Sequence, residues 1–131
     1  MNAEIHITKF GKEYKGKPCH IWNKLYEISL PNNDYFLQVG SDIEFIDLNW
    51  CECMIEKLKE NNNIGVVGLT DAGRGDTLLT QSMTSNKHYA TFGFYFPPEL
   101  INWFSDNWIG DIYELIDKKF IVNQRIINCG G

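Results

Sequence analysis

Positive charge is in short supply in this chain. Lys and Arg number 12 against 17 Asp and Glu, for a formal net charge of -5. A general nucleic-acid binder needs a basic face to neutralise phosphates, and this balance argues against one. Long apolar runs are also missing. No stretch approaches the roughly 20 residues that would span a bilayer, and the opening segment lacks the apolar stretch of a secretory signal. The 4 cysteines have no CxxC pairs, which removes the usual zinc spacing and points to reduced thiols in a cytoplasmic compartment. The glycines form neither GxGxxG nor GxxxxGK, so no phosphate-cradling fingerprint is present. There is no internal repeat.

What is present is the composition of a folded protein. Hydrophobic residues make up 44% of the chain, aromatics 14% and charged residues 22%, a balance that excludes disorder. At 131 residues the chain can bury one core but not two, so residues 1–131 are expected to form a single domain.

The periodicity alternates between helix and strand. Residues 4–7 alternate apolar and polar, suggesting a short strand before a Gly/Lys-rich loop. Pro18 suits the first turn of a helix that points Ile21, Trp22, Leu25, Tyr26 and Ile28 toward a core, and Pro31 with the following asparagines closes it. Residues 35–39 read as a buried strand. Asp47 is placed to cap a helix carrying Leu48, Met54, Ile55 and Leu58, and residues 64–69 form the next strand. Residues 70–87 are polar and contain glycine, with a short strand expected within 77–83, and residues 88–96 read as extended. Pro97-Pro98-Glu99 opens a helix bearing Leu100, Ile101, Phe104 and Trp108, and residues 120–127 form a last strand. Helices alternating with strands that are apolar on both faces predict a sheet covered by helices on both sides, of the parallel kind. Ligands of such sheets sit beyond the carboxyl ends of the strands, which is where Asp42 and Glu44 fall.

Three segments occur in a recognisable order: DYFLQVGSDIEF, NNNIGVVGLTD and LTQSMTSNKHYATFGFYFPPELINWFSDNWIGDIY. Over residues 21–113 the chain resembles the later part of a GT-A type, family-2-like glycosyltransferase, a group also encoded by large DNA viruses. The resemblance implies an α/β fold, a partial GT-A (Rossmann-like) mixed sheet flanked by helices. It also implies transfer of a sugar from a nucleotide-diphosphate sugar to a glycan or protein hydroxyl. The family's acidic metal motif matches Ser41, Asp42 and Glu44, with Ser41 where many relatives carry another acid. In an extended segment positions 42 and 44 project to one side, so both carboxylates can face one Mn²⁺ or Mg²⁺ ion. By the same resemblance His88 is the third metal ligand, and Asp106 is the base that takes the acceptor's proton. Asn107 replaces a second acid there, and Asp111 is a weaker substitute. Asp71 and Arg74 fall in the acceptor loop, while Trp103 and Trp108 are candidates for stacking on a sugar.

A complete GT-A domain begins with a strand and helix unit that holds the nucleoside, and the matched segment follows that unit. The resemblance therefore implies a chain truncated on its N-terminal side, with an exposed sheet edge open to the missing half or to a second copy. A non-catalytic carbohydrate-binding or assembly module derived from such an enzyme is the alternative reading.

Overall fold

The computed structural model describes residues 3–75 and 78–129. Among the described residues four α-helices and five strands follow one another: α1 (Pro18–Ser29), β1 (Tyr35–Gln38), β2 (Ile43–Phe45), α2 (Trp50–Glu60), β3 (Val66–Asp71), β4 (Ser82–Ser85), α3 (Asn86–Phe92), α4 (Ser105–Glu114) and β5 (Lys119–Asn128). α1 opens on Pro18 as expected, because a first-turn residue has no helical acceptor for the N–H that proline lacks. No helix among the described residues is long and apolar enough to cross a membrane.

The strands form one mixed sheet in the order β1-β4-β3-β5-β2. β1 and β3 each run antiparallel to β4, β3 runs parallel to β5, and β2 runs antiparallel to β5. The sheet is the helix-flanked α/β mixed sheet expected from the sequence, and not the parallel layer that the alternation alone suggests. The reason is that the next element after β3 among the described residues is a neighbouring strand, β4, and not a helix. β1, β3 and β5 still share a direction, so their carboxyl ends lie together.

Two clusters show that the sheet is buried on both faces. Phe36 and Val66 pack with Cys19, Tyr26, Tyr95, Phe96, Ile109 and Tyr113 on the side of α1, α3 and α4. Val67, Leu69, Met83, Val122 and Ile126 pack with Met54 and Leu58 of α2 on the other. Neighbours such as Val66 and Val67 face opposite ways, as the two-residue period of a strand requires.

Side chains complete the sheet where the strands separate. β3 and β4 are paired at Val67 and Met83, and Gln81 acts there as a surrogate strand. Its Oε1 accepts from Leu69 N at 2.9 Å and its Nε2 donates to Leu69 O at 3.4 Å. Between β3 and β5 the register slips at Leu69/Thr70, and Thr70 Oγ1 donates across the irregularity to Val122 O at 2.8 Å.

Sheet order also forces curvature. The chain passes from Gln38 on one edge strand to Ile43 on the other; five residue steps reach at most about 18 Å, whereas four spacings of a flat sheet measure about 19 Å. The sheet must curl, and residues 39–42 cross its carboxyl end.

Several expected elements differ from those observed. Residues 4–7 are exposed and outside any strand, since alternation alone supplies no partner strand. Residues 86–92 are helical instead of extended. Ser85 accepts from Lys87 N at 3.2 Å to cap the start, and Gly93 ends α3 in the left-handed region at φ 78°, the two signals of a short helix. Only residues 93–96 leave helical geometry, held to α1 by Asn23, whose Oδ1 accepts from Tyr95 N and Phe96 N at 3.0 and 2.8 Å. The helix expected after Pro97 starts at Ser105 instead, and Ile101 and Phe104 are exposed. Asp47 does not cap α2. Its carboxylate takes Arg125 N and Arg125 Nε at 2.8 and 3.1 Å, fastening the β2–α2 connection to β5; Leu48 is exposed.

Candidate functional site

The carboxyl ends of β1, β3 and β5 gather most of the residues singled out from the sequence. Gln38 ends β1 and pairs with Ser82, the first residue of β4; Asp71 ends β3; and Asn128, ending β5, pairs with Ile43 just after Asp42. Ser41, Asp42, Glu44, Asp71 and Arg74 therefore belong to this end of the sheet.

A cleft opens beside Gln38. It is lined by Trp22 of α1, Leu79 and Thr80 before β4, and residues 102–106 entering α4. Asp106 is half-buried in the first turn of α4, where the exposed N–H groups of the helix favour an anion. One of its oxygens, Oδ1, accepts from Asn107 N at 2.9 Å. Beneath it lies Cys19, fully buried, with Sγ 3.8 Å from Asn102 O. Burial pushes this thiol up, and the nearby Asp106 charge acts in the same direction, so Cys19 is a packing group and not a nucleophile.

Among the described residues one buried polar atom at this cleft, Thr80 Oγ1, lacks a partner, and Gln38 beside it has an amide nitrogen free to donate. Gln38 is only 8% exposed, and its Oε1 accepts from Ser82 Oγ at 3.2 Å. No hydrogen bond from its amide nitrogen is made to the described residues. Thr80 Oγ1 is buried without a hydrogen-bond partner. Buried polar atoms are nearly always paired, so such orphans mark places where a ligand or water belongs. Asp71 presents another such atom: Oδ1 accepts from Gly73 N at 2.9 Å, while Oδ2 is buried and unpaired. Arg74 follows it, its N donating to Asp71 O at 3.3 Å.

Asp42 and Glu44 are exposed. The carboxylate of Asp42 folds back over Gly40, where a Cβ would stand 2.7 Å from Asp42 Oδ1. Asp42 O accepts from Cys129 N at 2.7 Å, so the turn is tied to the end of β5.

His88 is not part of this site. It follows β4, whose last residue, Ser85, pairs with the first residue of β1, and so it lies at the opposite end of the sheet from Asp42. It is 2% exposed, with Nδ1 2.6 Å from Tyr113 Oη and Nε2 2.9 Å from Tyr95 O. A carbonyl oxygen only accepts, so Nε2 carries the proton and Nδ1 receives the tyrosine O–H. Both nitrogens are committed, and burial pulls the imidazole down to about 4. His88 does not fit the metal-ligand role: a cation would have to break the Tyr113 bond inside the core. Among the described residues no group of three His, Cys, Asp or Glu is placed to hold a metal ion. Asp42 stands in the turn before β2 and Glu44 within that strand, so they do not share the extended segment that would set both carboxylates on one side.

The two tryptophans separate. Trp103 lines the cleft and is 80% exposed. Trp108 is turned into the core, packed edge-on against Phe92 with ring centres 5.7 Å apart, because α4 presents it on the stripe shared with Ile109 and Ile112. Sequence reasoning missed Gln38 and Thr80. The signal for both was a polar residue next to a buried strand end.

No protein-family model, curated protein or solved structure matches this chain.

Proposed function

We propose that the chain is a GT-A-like glycosyltransferase segment, which moves a sugar from a nucleotide-diphosphate sugar to a hydroxyl acceptor with Asp106 as general base. The observation that carries the reading is the placement of Asp106 in a cleft with Gln38, at the sheet end where Asp42, Glu44 and Asp71 also lie. In the displacement the acceptor oxygen attacks the anomeric carbon and its proton passes to the Asp106 carboxylate. The bond from that carbon to the diphosphate oxygen breaks, and the diphosphate leaves with the electron pair. Mn²⁺ or Mg²⁺ held by Asp42 or Glu44 would supply charge stabilisation to the leaving diphosphate. Donor phosphates, in this reading, occupy the crossing at residues 39–42, and the acceptor occupies the cleft.

The test is release of nucleoside diphosphate from UDP-glucose, UDP-galactose, UDP-N-acetylglucosamine and GDP-mannose in the presence of saccharide acceptors and Mn²⁺. Asp106→Asn should lower the rate by about 10²- to 10⁴-fold, the range for removing a general base, with the melting temperature unchanged. Release by the Asp106→Asn protein at the parent rate, or no release from any donor, would overturn the proposal. Saccharide binding without turnover would assign the chain to the non-catalytic, carbohydrate-binding class instead.

A further inference from the structure

The entrance to α4 spends stability without recovering it inside the fold. Trp103 and Phe104 are consecutive, large and apolar, yet 80% and 69% exposed. Phe104 holds φ 70°, in the left-handed region where an L side chain crowds its own backbone and glycine would not. A buried ring can repay such strain through packing, but this ring contacts mostly water. Strain that persists without structural return collects at binding sites. The strained residue here forms the lip of the cleft that contains Asp106.

The other walls have the opposite chemistry. Gln38 offers an amide nitrogen with no protein acceptor among the described residues, Thr80 a buried hydroxyl with no partner, and Asp106 a carboxylate. The cavity holds about 170 Å³, the scale of one ring and its substituents. Apolar aromatic side chains and polar groups therefore line the same small cavity. A pyranose has this division, with C–H groups on its faces and hydroxyls at its edge. An acyl chain would leave Gln38 and Thr80 unpaired, and an extended peptide would need backbone partners the cleft does not present. Among the described residues Asp106 is the only charged group in the lining, which disfavours an anionic sugar.

We infer that the cleft is a subsite for a neutral saccharide ring, stacked on Trp103 and Phe104 and hydrogen-bonded by Gln38 and Thr80. This rests on the transferase reading in assigning that ring as the acceptor whose hydroxyl meets Asp106.

The test is a titration of the full chain with methyl β-D-glucopyranoside, methyl β-D-galactopyranoside and N-acetylglucosamine, followed by tryptophan fluorescence and saturation-transfer NMR. Sorbitol and glucuronate are the acyclic and anionic controls. At least one of the three neutral rings should bind saturably, and neither control should. Trp103→Ala should weaken that binding by about tenfold or more, as loss of a central aromatic anchor does, and Thr80→Val by several-fold. Phe104→Gly should weaken binding while leaving the melting temperature unchanged or raised, since it relieves the left-handed strain. A purely structural role predicts a lower melting temperature instead. Absence of saturable binding by every neutral ring, or unchanged affinity in the Trp103→Ala protein, overturns the subsite. The two proposals fail separately. Ring binding with no release of nucleoside diphosphate from any donor removes the transferase and leaves the subsite, whereas Asp106-dependent release with no ring binding removes the subsite alone.

Discussion

His88 makes stability depend on pH in a way that can be worked out from its surroundings. In the folded chain its neutral form satisfies both ring nitrogens, Nε2–H to Tyr95 O at 2.9 Å and Nδ1 from Tyr113 O–H at 2.6 Å. Protonation would place a charge in a core made of Tyr26, Phe92, Tyr95, Trp108 and Tyr113. It would also reverse the Tyr113 bond. Burial accordingly lowers the imidazole from 6.5 to about 4. The sign follows from proton counting. Between those values the unfolded chain carries a proton at this site and the folded chain does not, so stability falls as pH falls. Above 6.5 both states are neutral and the site contributes no slope. The slope is at most about 1.4 kcal/mol per pH unit, and over the window it sums to about 3 kcal/mol, a large share of a typical folding free energy.

Urea unfolding at pH 7.5, 6 and 5, run on the parent and on His88→Gln, isolates this contribution because the carboxylates shared by the two proteins cancel in the difference. At pH 7.5 the variant should be less stable by about 1–3 kcal/mol, the cost of leaving Tyr113 or Tyr95 O without its partner. The gap should narrow by more than 1 kcal/mol on going to pH 5. Equal pH slopes in the two proteins, or imidazole NMR shifts that titrate near 6.5, would refute the burial argument.

Other expected outcomes follow from the same structure. If Mn²⁺ raises the melting temperature, Asp42→Asn should abolish the shift and His88→Gln should preserve it, since only the first lies at the carboxyl end of the sheet; the reverse pattern would return the metal to His88. Gly65→Ala should destabilise by about 2 kcal/mol or more in denaturant melts, because φ is +147° and the new Cβ would stand 2.9 Å from Lys118 O. Asp47→Asn should lower the melting temperature slightly, by an amount that shrinks in 1 M NaCl. Arg125 holds the Asp47 carboxyl below its ordinary range, so in the parent this contribution is present at neutral pH and fades as acid protonates the carboxyl.

The elements legible in the sequence were those announced by local chemistry. Pro18 marked the start of α1 and is its first residue. The apolar run at 35–39 became β1, and the one at 64–69 became β3 displaced by two residues. Local signals misled where a second requirement intervened. Residues 4–7 alternate but have no partner strand. Pro97-Pro98 can open a helix, yet residues 97–104 stay outside one and α4 begins at Ser105, after a left-handed Phe104. The Ser85 and Gly93 brackets of α3 were readable, but the run of aromatics between and beyond them suggested a strand. Asp47 has the chemistry of a cap, and Arg125, 78 residues away in the chain, took it instead.

The sequence by itself determined an acidic α/β composition and the carboxylates available for chemistry, because residue type and spacing are local properties. Only the tertiary structure decided which of those groups share a place. Strand order brought Asp42, Asp71 and the Asp106 cleft to the carboxyl end of the sheet, while β4 carried His88 to the other end and buried it. A difference of one strand direction exchanges the two ends of a sheet, and direction is set by non-local pairing that no short stretch of residues encodes.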